Sequence, residues 1–285
     1  MTEKELQAEF LIEAMPYIEK YQNKILVIKY GGNAMLGDEA IREVMRDLTL
    51  LRCVGVKVVL VHGGGPEISE MLNRLGMTSK FVDGLRYTDA ETAEVVRMVL
   101  SGKVNKSLVH ILGSLGAKAV GLSGIDGGML LCKKQDERLG FVGSITRVDA
   151  SIVTDCLEKG YMPVISSVGY DDEGNIYNVN ADSAASSIAG ELGAESLILM
   201  TDVKGLLQNK QDENSLIKKV YVSDIEFLVK EGIISGGMIP KVNCCKEAIR
   251  RGVNRVFITD GRVKHSLLLE LLSDEGMGTM FVKGD

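Results

Sequence analysis

Short, continuous apolar runs alternate along the chain with longer stretches in which apolar residues return every three or four positions. The runs at 24–30, 56–62, 117–122, 161–167, 195–200 and 254–259 are followed by Gly, Ser, Thr, Val or Asp and read as strands of a buried, parallel sheet. Helical spacing shows between them at Ile41, Met45, Leu48 and Leu51, with Asp38 expected to cap that helix and Gly55 to end it. Pro66 stands where a first helical turn begins, opening a helix to about Leu75. Thr88-Asp-Ala-Glu91 has the form of a capping box and starts a long helical pattern to about Leu115, with a break expected near Gly102. Residues 129–134 and 141–147 alternate around a charged turn, which predicts a hairpin placed as a flap over a site. The order strand, helix, strand, helix predicts an α/β protein.

Ahead of the first strand, Leu6, Phe10, Ala14, Tyr17 and Tyr21 recur at helical spacing, with Pro16 expected to kink the helix. Such a helix has no strand of its own to cover, so it packs on the domain edge or meets another subunit. The turn-rich stretch Asp171-Asp-Glu-Gly-Asn175 marks the start of a second lobe. This divides the chain into an N-terminal helix at 1–22, a first lobe at 23–175 and a second at 176–285. Early in the second lobe, Asn178, Asn180 and Asp182 share a face if the stretch is extended, and Asp182 is equally a candidate cap for a helix over 183–192. Ser223-Asp-Ile-Glu226 is another capping box, and a helix over 265–272 and a strand over 279–282 end the pattern.

The strand ends carry the candidate chemistry. Val56-Lys-Val-Val-Leu-Val-His-Gly-Gly-Gly-Pro66 runs from a strand through three glycines into a helix. Glycines let a ligand approach the main chain, and the first N–H groups of a helix lack partners, so this is an anion seat unless the turn alone requires the glycines. Lys24-Ile-Leu-Val-Ile-Lys-Tyr-Gly-Gly-Asn33 repeats the arrangement and sets Lys29 near the carboxyl end of its strand, where parallel sheets place ligands. Ser235-Gly-Gly-Met-Ile-Pro-Lys241 puts two glycines before a helix with a lysine in its first turns. Arg86 lies in the loop before the long helix, a place where it is either a surface charge or a ligand contact. Two lysines and an aspartate able to hold them, beside glycine-rich strand ends, point to phosphoryl transfer.

Composition narrows the partners. A chain of 285 residues, 45% hydrophobic, fills a large core, and a net charge of −6 with scattered Lys and Arg argues against nucleic acid or an anionic membrane as partner. Small molecules are the expected ligands. The first residues carry Glu3, Lys4, Glu5, Glu9 and Glu13 with no signal-peptide core, which predicts a cytoplasmic protein. Cys53, Cys132, Cys156, Cys244 and Cys245 form no C-x-x-C pair and read as reduced thiols, and His62, His110 and His265 lack zinc-site neighbours, so no protein-ligated metal is expected.

The familiar nucleotide signatures are absent: no G-x-x-x-x-G-K-[ST] occurs, and Ile68 stands where a dinucleotide fingerprint needs its third glycine. Instead Ile28-Lys-Tyr-Gly-Gly-Asn-Ala34, Val61-His-Gly-Gly-Gly-Pro66, Asp83-Gly-Leu-Arg86, Asn178-Val-Asn-Ala-Asp182 and Gly236-Gly-Met-Ile-Pro-Lys241 resemble, in order and over nearly the whole chain, the motif set of the amino acid kinase family. Arg86 together with Asn178-Val-Asn-Ala-Asp182 resembles its branch acting on N-acetyl-L-glutamate more than the carbamate, glutamate, aspartate or uridylate kinases. The resemblance implies an open αβα sandwich with a mainly parallel sheet, an acetylglutamate site in the first lobe, an ATP site in the second, and the second step of arginine biosynthesis. It implies that Lys29 and Lys241 stabilise the transferring phosphoryl group, Asp182 orients both, and Gly32, Gly64 and Gly65 offer main-chain donors. Arg86 and Asn178, with Asn180 nearby, would hold the substrate; Asp202, Gly205, Gly237 and Met238 would line the nucleotide pocket, with Mg²⁺ held chiefly by ATP phosphates. The helix before the first strand and the ending from His265 to Met280 resemble those of arginine-inhibited members, which implies a hexamer of interlaced dimers and an arginine site with Tyr17, Glu270, Gly276 and either Lys218 or Lys219.

Overall fold

The computed structural model describes residues 2–35, 37–209, 211–274 and 276–284. It opens with α1 (Glu3–Tyr21), capped reciprocally by Thr2 and Glu5 and continuous through Pro16. Next come β1 (Ile25–Tyr30), α2 (Asp38–Cys53), β2 (Lys57–His62) and α3 (Gly65–Arg74). A small ribbon of β3 (Phe81–Val82) and β4 (Leu85–Arg86) leads to α4 (Ala90–Arg97), a π-helical turn over Met98–Val104, and α5 (Asn105–Ser114). The first half continues through β5 (Ala119–Ser123), β6 (Leu130–Lys134), β7 (Val142–Val148), α6 (Ser151–Glu158), β8 (Met162–Ser166) and β9 (Val168–Tyr170). After β10 (Ile176–Val179) follow α7 (Ala181–Glu191), β11 (Ser196–Thr201), β12 (Lys219–Tyr221), α8 (Ile225–Lys230), α9 (Met238–Arg250), β13 (Arg255–Asp260), α10 (Ser266–Leu271) and β14 (Thr279–Val282).

Eight strands make one sheet in the order β12-β14-β13-β11-β1-β2-β8-β5. Neighbours from β13 to β5 are parallel, and only β14 is antiparallel to β13. Side chains of successive strand residues point to opposite faces, and the core divides accordingly. Val27, Val59, Val61, Leu197 and Leu199 pack on one side with α7 and α9. Leu26, Ile28, Leu60, Ile198 and Met200 pack on the other with α2 and α5. The result is the αβα sandwich with a mainly parallel sheet.

Several local expectations change. The hairpin of β6 and β7 is no free flap, since with β9 and β10 it closes a small barrel, although Gln135 in its turn and Val142 at the start of β7 both line cavities. The expected break at Gly102 is instead a π turn that carries α4 into α5, because a widened turn absorbs an extra residue without stopping the helix. The cap of α4 is Asp89, which accepts the Thr92 N–H, while buried Thr88 donates its hydroxyl hydrogen to the Arg86 carbonyl. Gly37 rather than Asp38 precedes α2, with φ of 94°, and no side chain caps α2 or α8.

Candidate active site

Lys29 lies at the carboxyl end of β1, on the face turned toward α7, and Asp182 lies in the first turn of that helix. Their separation is therefore fixed by a strand and the helix packed on it. Lys29 Nζ is 2.8 Å from Asp182 Oδ1, and Lys241 Nζ, from the first turn of α9, is 3.0 Å from Oδ2. Burial alone would raise the Asp182 carboxyl pKa, but the two ammonium groups outweigh it and hold the value at about 2. The trio keeps a net positive charge in a buried place. Asn180 takes the cap of α7, accepting the N–H groups of Asp182 and Ser183, so the alternative reading of Asp182 as the cap is excluded.

Two cavities meet at this trio. One, of about 350 Å³, is lined by Lys29, Gly32, Gly64, Gly65, Arg86 and Asn178. The other, of about 800 Å³, reaches from Asp182 and Lys241 past Gly236 and Gly237 to Glu247. Asn180, Asp182 and Lys241 belong to both. At Gly64 a Cβ would stand 2.8 Å from Leu100 Cδ2 and 3.2 Å from Val104 Cγ2, so a side chain there would force both to shift. A third cavity, of about 340 Å³, is lined by Asp202, Gly205, Ile233, Ser235, Met238 and Arg262. Gly205 has φ of 148°, and a Cβ there would meet Thr279 Oγ1 at 2.4 Å.

Arg86 is buried and surrounded by neutral oxygens: the Gly65 carbonyl at 2.9 Å, Ser69 Oγ at 2.8 Å and Ser79 Oγ at 2.5 Å, with the Phe81 ring beneath it at 4.8 Å. Among the described residues no carboxylate is within ion-pair distance of it, so its charge is available to an anion in the cavity. Asn178 donates to Thr88 Oγ1 at 3.2 Å, which orients its amide beside Arg86. Ser69 and Ser79, which hold Arg86, Thr88, which holds Asn178, and Arg262, which lines the third cavity, are candidate site residues that sequence reasoning missed; isolated hydroxyls and a lone arginine leave no spacing to read.

The regulatory candidates also converge. The Tyr17 hydroxyl donates to Asp274, Glu270 accepts the N–H groups of Met277 and Gly278, and Lys218 Nζ donates to the Gly276 carbonyl at 2.9 Å. Between the two open lysines, the structure brings Lys218 to this cluster, while Lys219 stacks on Tyr221. Gly276 has φ of 58°, and a Cβ there would press on the Glu270 carboxylate at 2.8 Å.

Comparison with known proteins agrees with this geometry. The profile of the amino acid kinase family matches residues 24–260. Acetylglutamate kinases of Brachyspira hyodysenteriae and Clostridioides difficile are each 54% identical to this chain, covering 97% of it and 97% of themselves. In fold, the chain is similar to N-acetylglutamate synthase from Neisseria gonorrhoeae, solved with coenzyme A and N-acetyl-glutamate, with a TM-score of 0.85 at 23% identity over 98% of this chain and 64% of the synthase. A full-length match at this identity leaves one assignment: the chain belongs to the amino acid kinase family, in its acetylglutamate kinase branch.

Proposed function

We propose that the chain transfers the γ-phosphoryl group of ATP to the side-chain carboxylate of N-acetyl-L-glutamate, giving N-acetyl-L-glutamyl 5-phosphate. The observation that carries this reading is the Lys29–Asp182–Lys241 trio standing where two cavities join. The smaller cavity suits the acyl-amino acid, whose α-carboxylate pairs with Arg86. The larger one suits the triphosphate tail, with the base and ribose toward Asp202, Gly205 and Met238.

The acceptor is a carboxylate with a pKa of about 4.3 in solution, ionised at neutral pH, so no general base is needed. The barrier is repulsion between two anions and the spread of charge over the equatorial oxygens. Lys29 and Lys241 answer both from fixed positions, and their pairing with Asp182 keeps them from reorganising as the reaction proceeds. Gly32, Gly64 and Gly65 add main-chain N–H donors. Both Asp182 oxygens are engaged by lysine, so that carboxylate serves to hold the two cations. Mg²⁺ would enter with the nucleotide, held chiefly by the ATP phosphates. A coupled ATPase assay with a panel of acylated amino acids, acetylaminoadipate among them, tests the reading: acetylglutamate should give the highest kcat/KM, and preference for another acyl-amino acid would replace it.

Residues 23–175 then serve the amino acid and dimerisation, and 176–285 serve ATP. The exposed apolar residues of α1, among them Phe10, Leu11, Ile12 and Met15, support its use in joining dimers into a hexamer. The cluster of Tyr17, Lys218, Glu270 and Gly276 supports feedback inhibition by L-arginine in a cytoplasmic enzyme.

A further inference from the structure

His62 closes β2 just before the three glycines and is fully buried. Both ring nitrogens are engaged: Nδ1 is 2.9 Å from the Gly63 carbonyl oxygen and Nε2 is 3.0 Å from Nδ2 of Asn105. Asn105, equally buried at the first position of α5, also directs Nδ2 at the carbonyls of Leu122 and Val164, 3.2 and 2.8 Å away, so its two amide hydrogens are shared among three acceptors. Its Oδ1 accepts from Lys106 Nζ at 3.1 Å. Turning the amide over would set an oxygen against two carbonyls and an NH₂ against an ammonium, so its orientation is settled by its neighbours. An amide nitrogen donates and does not accept. Nε2 of His62 is therefore the bare nitrogen, and the ring proton sits on Nδ1, pointing at Gly63.

The consequence passes through one peptide unit. A trans peptide is planar, so the carbonyl of Gly63 and the N–H of Gly64 point in opposite directions. Holding that carbonyl against His62 turns the Gly64 N–H away from it. Gly64 is the N-cap residue of α3 and lines the same cavity as Lys29 and Asp182. We propose that His62, as its Nδ1–H tautomer braced by Asn105, is a positioning residue that fixes the Gly63–Gly64 peptide with the Gly64 N–H toward the transferring phosphoryl group. The inference rests on the phosphoryl-transfer reading of this cavity.

Two replacements separate positioning from packing. Asn at position 62 carries its amide nitrogen where imidazole Nδ1 stands, and Gln carries its own where Nε2 stands. His62→Asn should keep kcat for acetylglutamate within about threefold of wild type, whereas His62→Gln should lower it at least about tenfold with the KM for ATP unchanged, the cost of a misaimed donor. Thermal stability should fall similarly in both, because both disturb one buried network. Equal kcat in the two variants would overturn the proposal. A second measurement needs no variant: in the ¹⁵N-edited spectrum of the full-length protein at pH 7, the His62 ring proton should sit on Nδ1. A proton on Nε2, or on both nitrogens, would overturn it as well. Wild-type protein that phosphorylates no acyl-amino acid in the same assay would instead refute the underlying reading, with the tautomer unaffected.

Discussion

Asn180 Oδ1 accepts the backbone N–H of Asp182 at 3.0 Å, so one polar residue caps the helix that presents the other's carboxylate to two lysines. The division of labour matters because a capping carboxylate would be turned toward its own backbone. Asn180→Ala should cost about 1 kcal/mol of stability, the usual worth of such a cap. It should also lower kcat, while Asn180→Ser restores most of both. Thermal melts and steady-state kinetics check this, and a variant with lost stability but unchanged kcat would detach the cap from catalysis.

Lys29→Ala and Lys241→Ala should each reduce kcat by about two orders of magnitude or more, with much smaller changes in the KM for acetylglutamate. That split is the signature of groups used in the transition state. Raised KM at constant kcat would move the lysines to ground-state binding.

Arg86→Lys should weaken acetylglutamate and leave ATP binding nearly intact. A planar guanidinium offers a carboxylate two parallel donors and also spans Gly65, Ser69 and Ser79, which an ammonium cannot reach together. Calorimetric titration with each ligand decides; equal losses for both would place Arg86 elsewhere.

Acid should destabilise the protein through His62. Burial, aided by the nearby Lys106 charge, lowers its pKa to about 4 from the ordinary 6.5. The folded value is depressed, so between those limits the unfolded chain binds more protons. Stability from this group is complete above pH 6.5 and falls by up to about 3 kcal/mol as pH drops to 4. Burial raises the carboxyl pKa of Asp47 and Glu270 and opposes this trend, while Asp182, held near 2, titrates below the window. The diagnostic is therefore a difference: urea midpoints of wild type should fall more steeply from pH 7 to 5 than those of His62→Asn. Parallel curves would remove His62 as the cause.

Removing the first helix should uncouple arginine from activity. The cut belongs after Lys20, because Tyr21 is buried in the core and Gln22 packs on Gly55. The truncated enzyme should be a dimer by light scattering, active, and weakly responsive to arginine, since an effector must bind two arrangements unequally. A truncated hexamer with full inhibition would contradict the assignment.

The sequence made the sheet and the trio readable because both depend on periodicity and on glycines at strand ends. Lys29 could be placed from the length of its strand alone. What escaped was set by contacts between distant segments. The closure of β6 and β7 into a barrel depends on β9 and β10, some 30 residues away, and the choice of Asn180 over Asp182 as cap depends on Lys29 and Lys241 competing for the carboxylate. The π turn at Met98–Val104 looked like a break because Gly102 is a poor helix former, yet Leu100 is held against Gly64 by tertiary packing.

β1 is hydrogen-bonded along its length to β2 on one side and to β11 on the other, so the sheet passes through the middle of the molecule without a seam. The two halves are not beads on a flexible string. Any widening of the crevice above the trio would therefore have to be carried by the sheet itself, with Lys29 on a strand paired on both sides near its middle.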